Sequence, residues 1–227
     1  MSSLDTSALQ DLAEELSGPT ATVTPPGAWG PWVNGGGWLH ISDADVDWIY
    51  RDLNRTQQSW MAACTGQVSF HAQAGHPLGV PDFAYAGEVA LGVVLADATG
   101  ELTALQQATR EYPTALADAL VEALWEADFL VANARKAVSR SDATFVAGCL
   151  FRVVELCAHA IHGRAARWLI HEKGAVASAA RLPIAPRDFE ARAHAAITHI
   201  GSTPKQIAAS IVAAHDLVSV TGRACRR

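Results

Sequence analysis

The spacing of apolar and polar residues divides the chain into two regions. Before about residue 83, short apolar runs alternate with turns rich in glycine, proline and aspartate. The runs "GGGWLHIS" and "VDWIYRDL" predict the two strands of an antiparallel hairpin, and "TATVT" predicts a further strand. The stretch "LDTSALQDLAEELSG" has the apolar spacing of an amphipathic helix that ends at Gly18. After residue 83, long alanine-rich stretches with helical spacing predict a bundle of helices.

Helix start signals divide the second region into segments. Pro113 and Pro204 lie near predicted helix starts, and the side chains of Asp142 and of Ser202 or Thr203 can cap the free amide groups there. The predicted helices cover about 84–96, 112–139, 142–162, 165–181, 187–200 and 203–220. The predicted fold class is therefore α+β.

Composition and charge narrow the range of partners. The chain has 227 residues, half of them hydrophobic, and a net charge of -6, which argues against nucleic acid as the main partner. Its 4 cysteines are scattered, and no basic segment followed by an apolar one opens the chain, so we expect a reduced cytoplasmic protein. Charged and histidine residues interrupt the longest apolar run, 145–163, so no membrane span is predicted.

One acidic residue lies within an otherwise apolar strand pattern. Asp47 stands between Val46 and Trp48, and a carboxylate buried in a strand requires a metal ion, a cation or a hydrogen-bonding partner. Asp45 lies two residues earlier, on the same face of a strand. The stretch "DADVD" could therefore hold a divalent ion, or it could be a polar turn that leads into a strand with one satisfied aspartate.

Seven blocks resemble nucleotidyltransferase-domain proteins of actinobacteria, which belong to the DNA polymerase beta superfamily. In order, they are "NGGGWL", "VDWIYRDL", "QAGHPLG", "YAGEVALGVVLAD", "NARKA", "AGCLFR" and "WLIHEKGA". The likeness extends over about 4–220. Members of this superfamily are similar to aminoglycoside and lincosamide nucleotidyltransferases, which transfer a nucleoside monophosphate from a nucleoside triphosphate (NTP) to a hydroxyl group.

The resemblance implies a site in which three carboxylates hold Mg²⁺ and the NTP. Asp47 matches the third carboxylate, which would bind metal or accept the proton of the acceptor hydroxyl. The family's Gly-Ser turn and Asp-x-Asp pair would precede the segment that begins here at residue 4, and they are not found there. We therefore expect 1–83 to be a remnant of a nucleotidyltransferase sheet, followed by an all-α, substrate-binding bundle over 84–227 that is similar to HEPN proteins. Catalysis would be impaired.

An alternative register assigns the missing motif to "GGGWLHISDADVD". Gly36 and Gly37 would form the turn, and Asp45 with Asp47 would form the metal-binding pair. Only seven residues separate Gly37 from Asp45, which is short for the turn and helical stretch of the superfamily.

The block "WLIHEKGA" supplies the expected nucleotide contacts. By resemblance, Lys173 would reach the nucleotide phosphates, with Arg167 and Glu172 beside it. On the helix predicted over 165–181, Arg167 and His171 would share a face. An exposed helix face with an ordinary surface pair of Glu172 and Lys173 is the other interpretation.

Three further groups have alternative interpretations. Arg152 and His159 have the spacing of HEPN-type ribonucleases, which would activate a ribose hydroxyl, while Glu155, His159 and His162 could bind zinc or lie in the core. Glu88 is a lone acid on an apolar helix and could face the cleft between the regions. The expected function is transfer from an NTP to a small hydroxylated acceptor. The alternatives are a nucleotide-binding or small-molecule-binding module and, third, a ribonuclease.

Overall fold

The computed structural model describes residues 4–226 and has an α+β fold, as predicted. Its first region contains a helix, two β-hairpins and a second helix between the hairpins. These elements are α1 (Thr6–Ser17), β1 (Gly36–Ile41), β2 (Ala44–Ile49), α2 (Leu53–Cys64), β3 (Phe70–Gln73) and β4 (His76–Pro81). Each hairpin forms its own two-stranded antiparallel sheet.

The second region is helical throughout. Its elements are α3 (Ala84–Leu91), α4 (Glu101–Thr109), α5 (Thr114–Glu122), α6 (Leu124–Ala137), a short 3-10 turn (Val138–Arg140), α7 (Ala143–Arg164), α8 (Ala175–Ala180), α9 (Phe189–Thr198) and α10 (Pro204–Cys225). The predicted caps are confirmed, because the side chain of Asp142 accepts a hydrogen bond from the amide of Phe145, and Thr203 forms a capping box with Gln206.

The first hairpin packs one face on α1 and exposes the other. Leu39 is buried in a small cluster with Ala13, and Val46 and Trp48 pack against the same cluster. Gly36 pairs with Ile49 in the register of the hairpin. A Cβ atom at Gly36 would overlap the carbonyl oxygen of Trp48, so the two strands approach closely only because this residue is glycine. The segment "TATVT" contributes a single bridge, from Val23 to Gly37, rather than a strand.

Helix α7 forms the centre of the bundle, where α5, α6, α8, α9 and α10 pack around it. It is the one helix within residues 4–226 that is long and apolar enough to cross a membrane. However, 67% of its most apolar window is buried inside the protein, which is the pattern of a core helix. The apolar stretch and its interrupting polar residues are therefore explained by packing.

Three helix predictions are wrong in detail. The helix predicted over 84–96 is too long, because α3 ends at Leu91. The helix predicted over 165–181 is a loop over 165–174 followed by the short α8, because α7 ends at Arg164 and Ala166 adopts a left-handed backbone with a φ of 52°. The helix predicted over 112–139 is divided into α5 and α6 near Ala123. Sequence patterns also missed α2, α4 and the second hairpin.

The two predicted regions meet at a shared hydrophobic cluster. Phe83, Ala63 and Leu120 are buried together there, and the ring of Trp168 packs against them. Close by, a Cβ atom at Gly87 of α3 would overlap the side chain of Ile170 in the loop over 165–174. Because Gly87 has no side chain, that loop can contact α3 directly.

Candidate functional site

An ion pair lies at the junction of the two regions. The Nε and Nη2 atoms of Arg51 donate hydrogen bonds of 2.6 Å each to the two carboxylate oxygens of Glu88. This parallel arrangement is the strongest geometry for an arginine–carboxylate pair. Although burial acts to lower the pKa of Arg51, its hydrogen bonds and charge interaction with Glu88 leave that pKa raised. The guanidinium of Arg51 is therefore charged at neutral pH.

A second arginine lies beside this pair and stacks on aromatic rings. The guanidinium carbon of Arg55 is 4.4 Å from the ring centroid of Trp32 and 5.4 Å from that of Tyr85. Arg51 lies 4.8 Å from the ring of Tyr85. The hydroxyl of Tyr85 donates to the carbonyl oxygen of Trp32 at 2.5 Å, which fixes the aromatic platform. Within residues 4–226, Arg55 forms no salt bridge, so its charge is free to meet a ligand.

Two cavities meet at Arg51 and Tyr85, which line both. The polar cavity has a volume of about 320 Å³, and Arg55 with the side chains of Asn34 and Asn54 lines it. The apolar cavity has a volume of about 530 Å³ and lies between α2, α3 and α4. As expected from its sequence context, Glu88 faces a cavity where the two regions meet. Both volumes suit a small-molecule ligand.

Asp47 lies on the open face of the first hairpin. Asp45 and Asp47 are both exposed on one face of β2, as their two-residue spacing predicts, whereas Val46 and Trp48 point to the other face. Asp47 is the register partner of Trp38, whose side chain is 71% exposed. The carboxylate of Asp47 is thus available to solvent and not buried, which corrects the expectation of a costly buried acid.

The residues present do not form a complete metal site. The side chain of Asp45 is 95% exposed, and its Oδ1 atom lies 2.8 Å from Nδ1 of His40. Among residues 4–226, no group of three or more histidine, cysteine or acidic side chains is placed to hold a metal ion. Asp45 and Asp47 alone would leave Mg²⁺ dependent on phosphate oxygens and water for its other ligands.

The three residues expected to contact nucleotide lie in the loop over 165–174. Arg167 and Lys173 are exposed, while the side chain of Glu172 is nearly buried and its Oε2 atom lies 3.4 Å from Nδ1 of His76. Because this segment is a loop, the helical face predicted for Arg167 and His171 does not exist. Neither of the two cavities described above is lined by these residues, so they do not share a cavity with Arg51.

A buried acid and two histidines lie on α7 below the junction. Glu155, His159 and His162 are buried, and no side chain or backbone group within residues 4–226 forms a hydrogen bond with their ring nitrogens or with Oε2 of Glu155. Burial, reinforced by the charge of Glu172, raises the pKa of Glu155 to about 7. Burial lowers the pKa of His159 to about 3. At pH 7, His159 is therefore neutral and Glu155 is about half protonated.

The geometry does not support the ribonuclease alternative. His159 lies between the rings of Phe70 and Phe83, at centroid distances of 5.1 and 5.9 Å. Arg152 donates a 2.5 Å hydrogen bond to Glu126. A buried neutral histidine and an arginine with its own carboxylate partner present no joint surface to RNA.

Sequence reasoning missed Arg51, Arg55 and Tyr85 as site residues. One signal was available, because "YRDLNR" places two arginines four residues apart next to a predicted strand. Their meeting with Tyr85 depends on α2, which the apolar pattern did not predict. A comparison of the chain with protein-family models finds no match, and a comparison with solved structures finds no significant match.

Proposed function

We propose that this chain is a nucleotidyltransferase-like protein that binds an NTP in the polar cavity and a small acceptor in the apolar cavity beside it. The observation that carries the proposal is the pair of arginines on an aromatic platform where the two cavities meet. The resemblance of seven sequence blocks to nucleotidyltransferases supports the same function. We infer that transfer itself is impaired, because strand β2 carries two exposed carboxylates, Asp45 and Asp47, where the resemblance implies three metal-binding acids.

The polar cavity suits a phosphate chain. Arg55 presents a planar set of donors, of which Nη1 donates to the carbonyl oxygen of Pro31, and it forms no salt bridge within the described part of the chain. Trp32 and Tyr85 hold its guanidinium in place, so phosphate binding would cost little side-chain entropy. Arg51 is neutralised by Glu88 and therefore contributes less to phosphate attraction.

Asp47 lines neither of the two cavities, but it lies close to Arg51 along the chain. Three residues, Trp48 to Tyr50, lie between Asp47 and Arg51, so their Cα atoms lie within about 14 Å of each other. In the proposed transfer, the acceptor oxygen bonds to the α-phosphorus and the bond from that phosphorus to pyrophosphate breaks. Pyrophosphate leaves with the electron pair, and a carboxylate such as Asp47 accepts the acceptor's proton.

Calorimetric titration with ATP, GTP, CTP and UTP, with and without Mg²⁺, tests the proposal. We expect at least one NTP to bind, and we expect Arg55→Gln to weaken this binding roughly tenfold because a charge-assisted contact to phosphate is lost. Asp47→Ala should reduce the part of the affinity that depends on Mg²⁺. Arg223→Gln is the matched control, since Arg223 is an exposed arginine near the end of α10 and should leave binding unchanged.

Two results of the titration would contradict the proposal. If no NTP binds, or if Arg55→Gln and Arg223→Gln bind NTP equally well, the polar cavity is not a nucleotide site. A folded state of each variant, checked by circular dichroism, excludes unfolding as the cause of a loss.

An assay of pyrophosphate release distinguishes an active transferase from a non-catalytic binding module. NTP binding without pyrophosphate release, in the presence of Mg²⁺ and candidate hydroxylated acceptors, would identify a non-catalytic nucleotide-binding protein. Slow release that Asp47→Ala abolishes would identify residual transfer. Either result is consistent with a nucleotide site in the polar cavity. An NTP ligand also agrees with the predicted cytoplasmic location.

A further inference from the structure

The apolar cavity has a wall of strongly exposed hydrophobic side chains. Val93 and Leu95 line the cavity, yet they are 82% and 94% exposed to solvent. Leu91 precedes them at the end of α3 and is also exposed. Large apolar side chains in contact with water are costly, and such side chains grouped around a cleft are typical of a ligand site.

Hydrogen bonds anchor this wall at both ends. The side-chain amide of Gln106 donates to the carbonyl oxygens of Val89 and Gly92, at 3.0 and 2.8 Å. The carboxylate of Asp97 accepts hydrogen bonds from the amides of Thr103 and Gly100, at 2.7 and 3.0 Å. The segment from Gly92 to Asp97 is therefore held against α4, and the cavity is part of the fold.

Among the residues that line the apolar cavity, the acidic one is Glu88. Each of its carboxylate oxygens accepts one hydrogen bond from Arg51, which leaves further lone pairs on both oxygens. Its side chain is more exposed than that of Arg51, and Arg51 also donates to the carbonyl oxygen of Tyr50. A ligand that enters this end of the cavity therefore contacts the carboxylate of Glu88 before it contacts the guanidinium of Arg51.

We propose that the apolar cavity binds a small apolar molecule that carries a single hydroxyl or amine, with its apolar body against Val93 and Leu95 and its polar group on Glu88. The inference rests on the proposed function in taking this molecule as the acceptor of the transfer. A polyhydroxylated polycation such as an aminoglycoside is excluded as a ligand of this cavity, because burial against Leu53, Val89 and Leu102 would leave most of its polar groups without partners.

Binding of four probe molecules tests the specificity. 2-Phenylethanol, 2-phenylethylamine and 3-phenylpropionate share an apolar body and differ in the polar group, while kanamycin is polyhydroxylated and polycationic. By ligand-observed NMR and calorimetry, we expect the alcohol and the amine to bind roughly tenfold more tightly than the carboxylate or kanamycin. Glu88→Gln should weaken amine binding and strengthen carboxylate binding, because Arg51 then lacks its anionic partner.

A matched pair of surface variants tests the location. Leu95→Glu places a charge on the cavity wall and should weaken binding of the alcohol roughly fivefold or more. Val212→Glu introduces the same change at an apolar residue of α10 that is 66% exposed and lies outside the cavity, and it should have no effect. Equal binding by both variants, or equal binding of the carboxylate and the alcohol to the unmodified chain, would overturn the inference.

The two proposals fail in different ways. Loss of the apolar ligand with retained, Arg55-dependent NTP binding would remove only the inference about the acceptor. Binding of 2-phenylethanol that depends on Leu95, in a chain that binds no NTP, would instead remove the nucleotide site and leave the apolar site in place.

Discussion

At the scale of single residues, Glu155 has the most unusual environment. It is buried on α7, its Oε2 atom has no hydrogen-bond partner within residues 4–226, and the charge of Glu172 lies nearby. Arg152, the positive charge next to it on the same helix, is already paired with Glu126. Burial therefore raises the pKa of Glu155 from 4.5 to about 7, and the acid keeps its proton in the folded state after it has lost it in the unfolded state.

This pKa shift predicts a decline in stability as pH rises from about 4.5 to about 7. Because the folded pKa exceeds the unfolded one, the contribution of Glu155 is fully present below its ordinary pKa and is lost as pH rises through 7. We expect the free energy of unfolding, measured by urea titration, to lose about 2 kcal/mol between about pH 5 and about pH 7 through this group.

Glu155→Gln isolates that contribution. The variant keeps the buried histidines, whose own titration acts in the opposite direction, so the difference between the two chains reports Glu155 alone. We expect the variant to gain in stability relative to the unmodified chain as pH rises over this range. Identical pH profiles would contradict the assigned environment.

At this scale, the sequence predicted correctly those side-chain positions that depend only on local residue spacing. The shared face of Asp45 and Asp47 follows from the two-residue period of a strand, and the exposure of Glu88 to a cleft follows from its place on an apolar helix. The platform under Arg55 could not be predicted, because Trp32 and Tyr85 are distant in sequence and meet only in the folded chain.

At the scale of elements, the first hairpin depends on Gly36. This residue has a φ of 154°, and a Cβ atom there would meet the carbonyl of Trp48 on the paired strand. Gly75, in the turn of the second hairpin, also has a positive φ of 82°, but a Cβ atom there would have open space around it. Both glycines therefore have a positive φ that would strain any other residue. Only at Gly36 would a side chain also overlap a neighbouring strand.

A comparison of Gly36→Ala with Gly75→Ala separates strain from overlap. We expect Gly75→Ala to cost about 1 kcal/mol through backbone strain and Gly36→Ala to cost about 2 kcal/mol more, because the strands must move apart. Urea unfolding of both variants measures the difference. Equal losses would show that the strands of the first hairpin tolerate a side chain at this point.

Elements with capping signals were predicted closely, and elements without them were not. The start of α10 follows from Thr203 and Pro204, whose chemistry acts within one helical turn. The loop over 165–174 has a helical apolar pattern, but Trp168 leaves that pattern to pack against the cluster around Phe83. A contact that is distant in sequence overrides the local preference there.

At the scale of the whole molecule, the two predicted regions share one hydrophobic cluster. Ala63 of the first region and Leu120 of the second are buried around Phe83, which lies at the predicted boundary. Removing either region would expose this cluster to water, so we expect the chain to unfold as one cooperative unit.

Two spectroscopic signals test cooperativity. Five of the 7 tryptophans, Trp29, Trp32, Trp38, Trp48 and Trp60, precede residue 83, so fluorescence reports mainly on the first region. Far-UV circular dichroism reports mainly on the helical second region. We expect the same midpoint in urea from both signals. Clearly separated midpoints would instead show two independent folding units.

The close approach at Gly87 has a mechanical consequence. Glu88, which holds Arg51 at the cavities, follows directly after a residue whose bare backbone touches Ile170. Two residues beyond Ile170 is Glu172, which contacts His76 of the second hairpin. We therefore expect a ligand that shifts α3 to push directly on the side chain of Ile170, and the loop that carries Ile170 would transmit the displacement to the second hairpin.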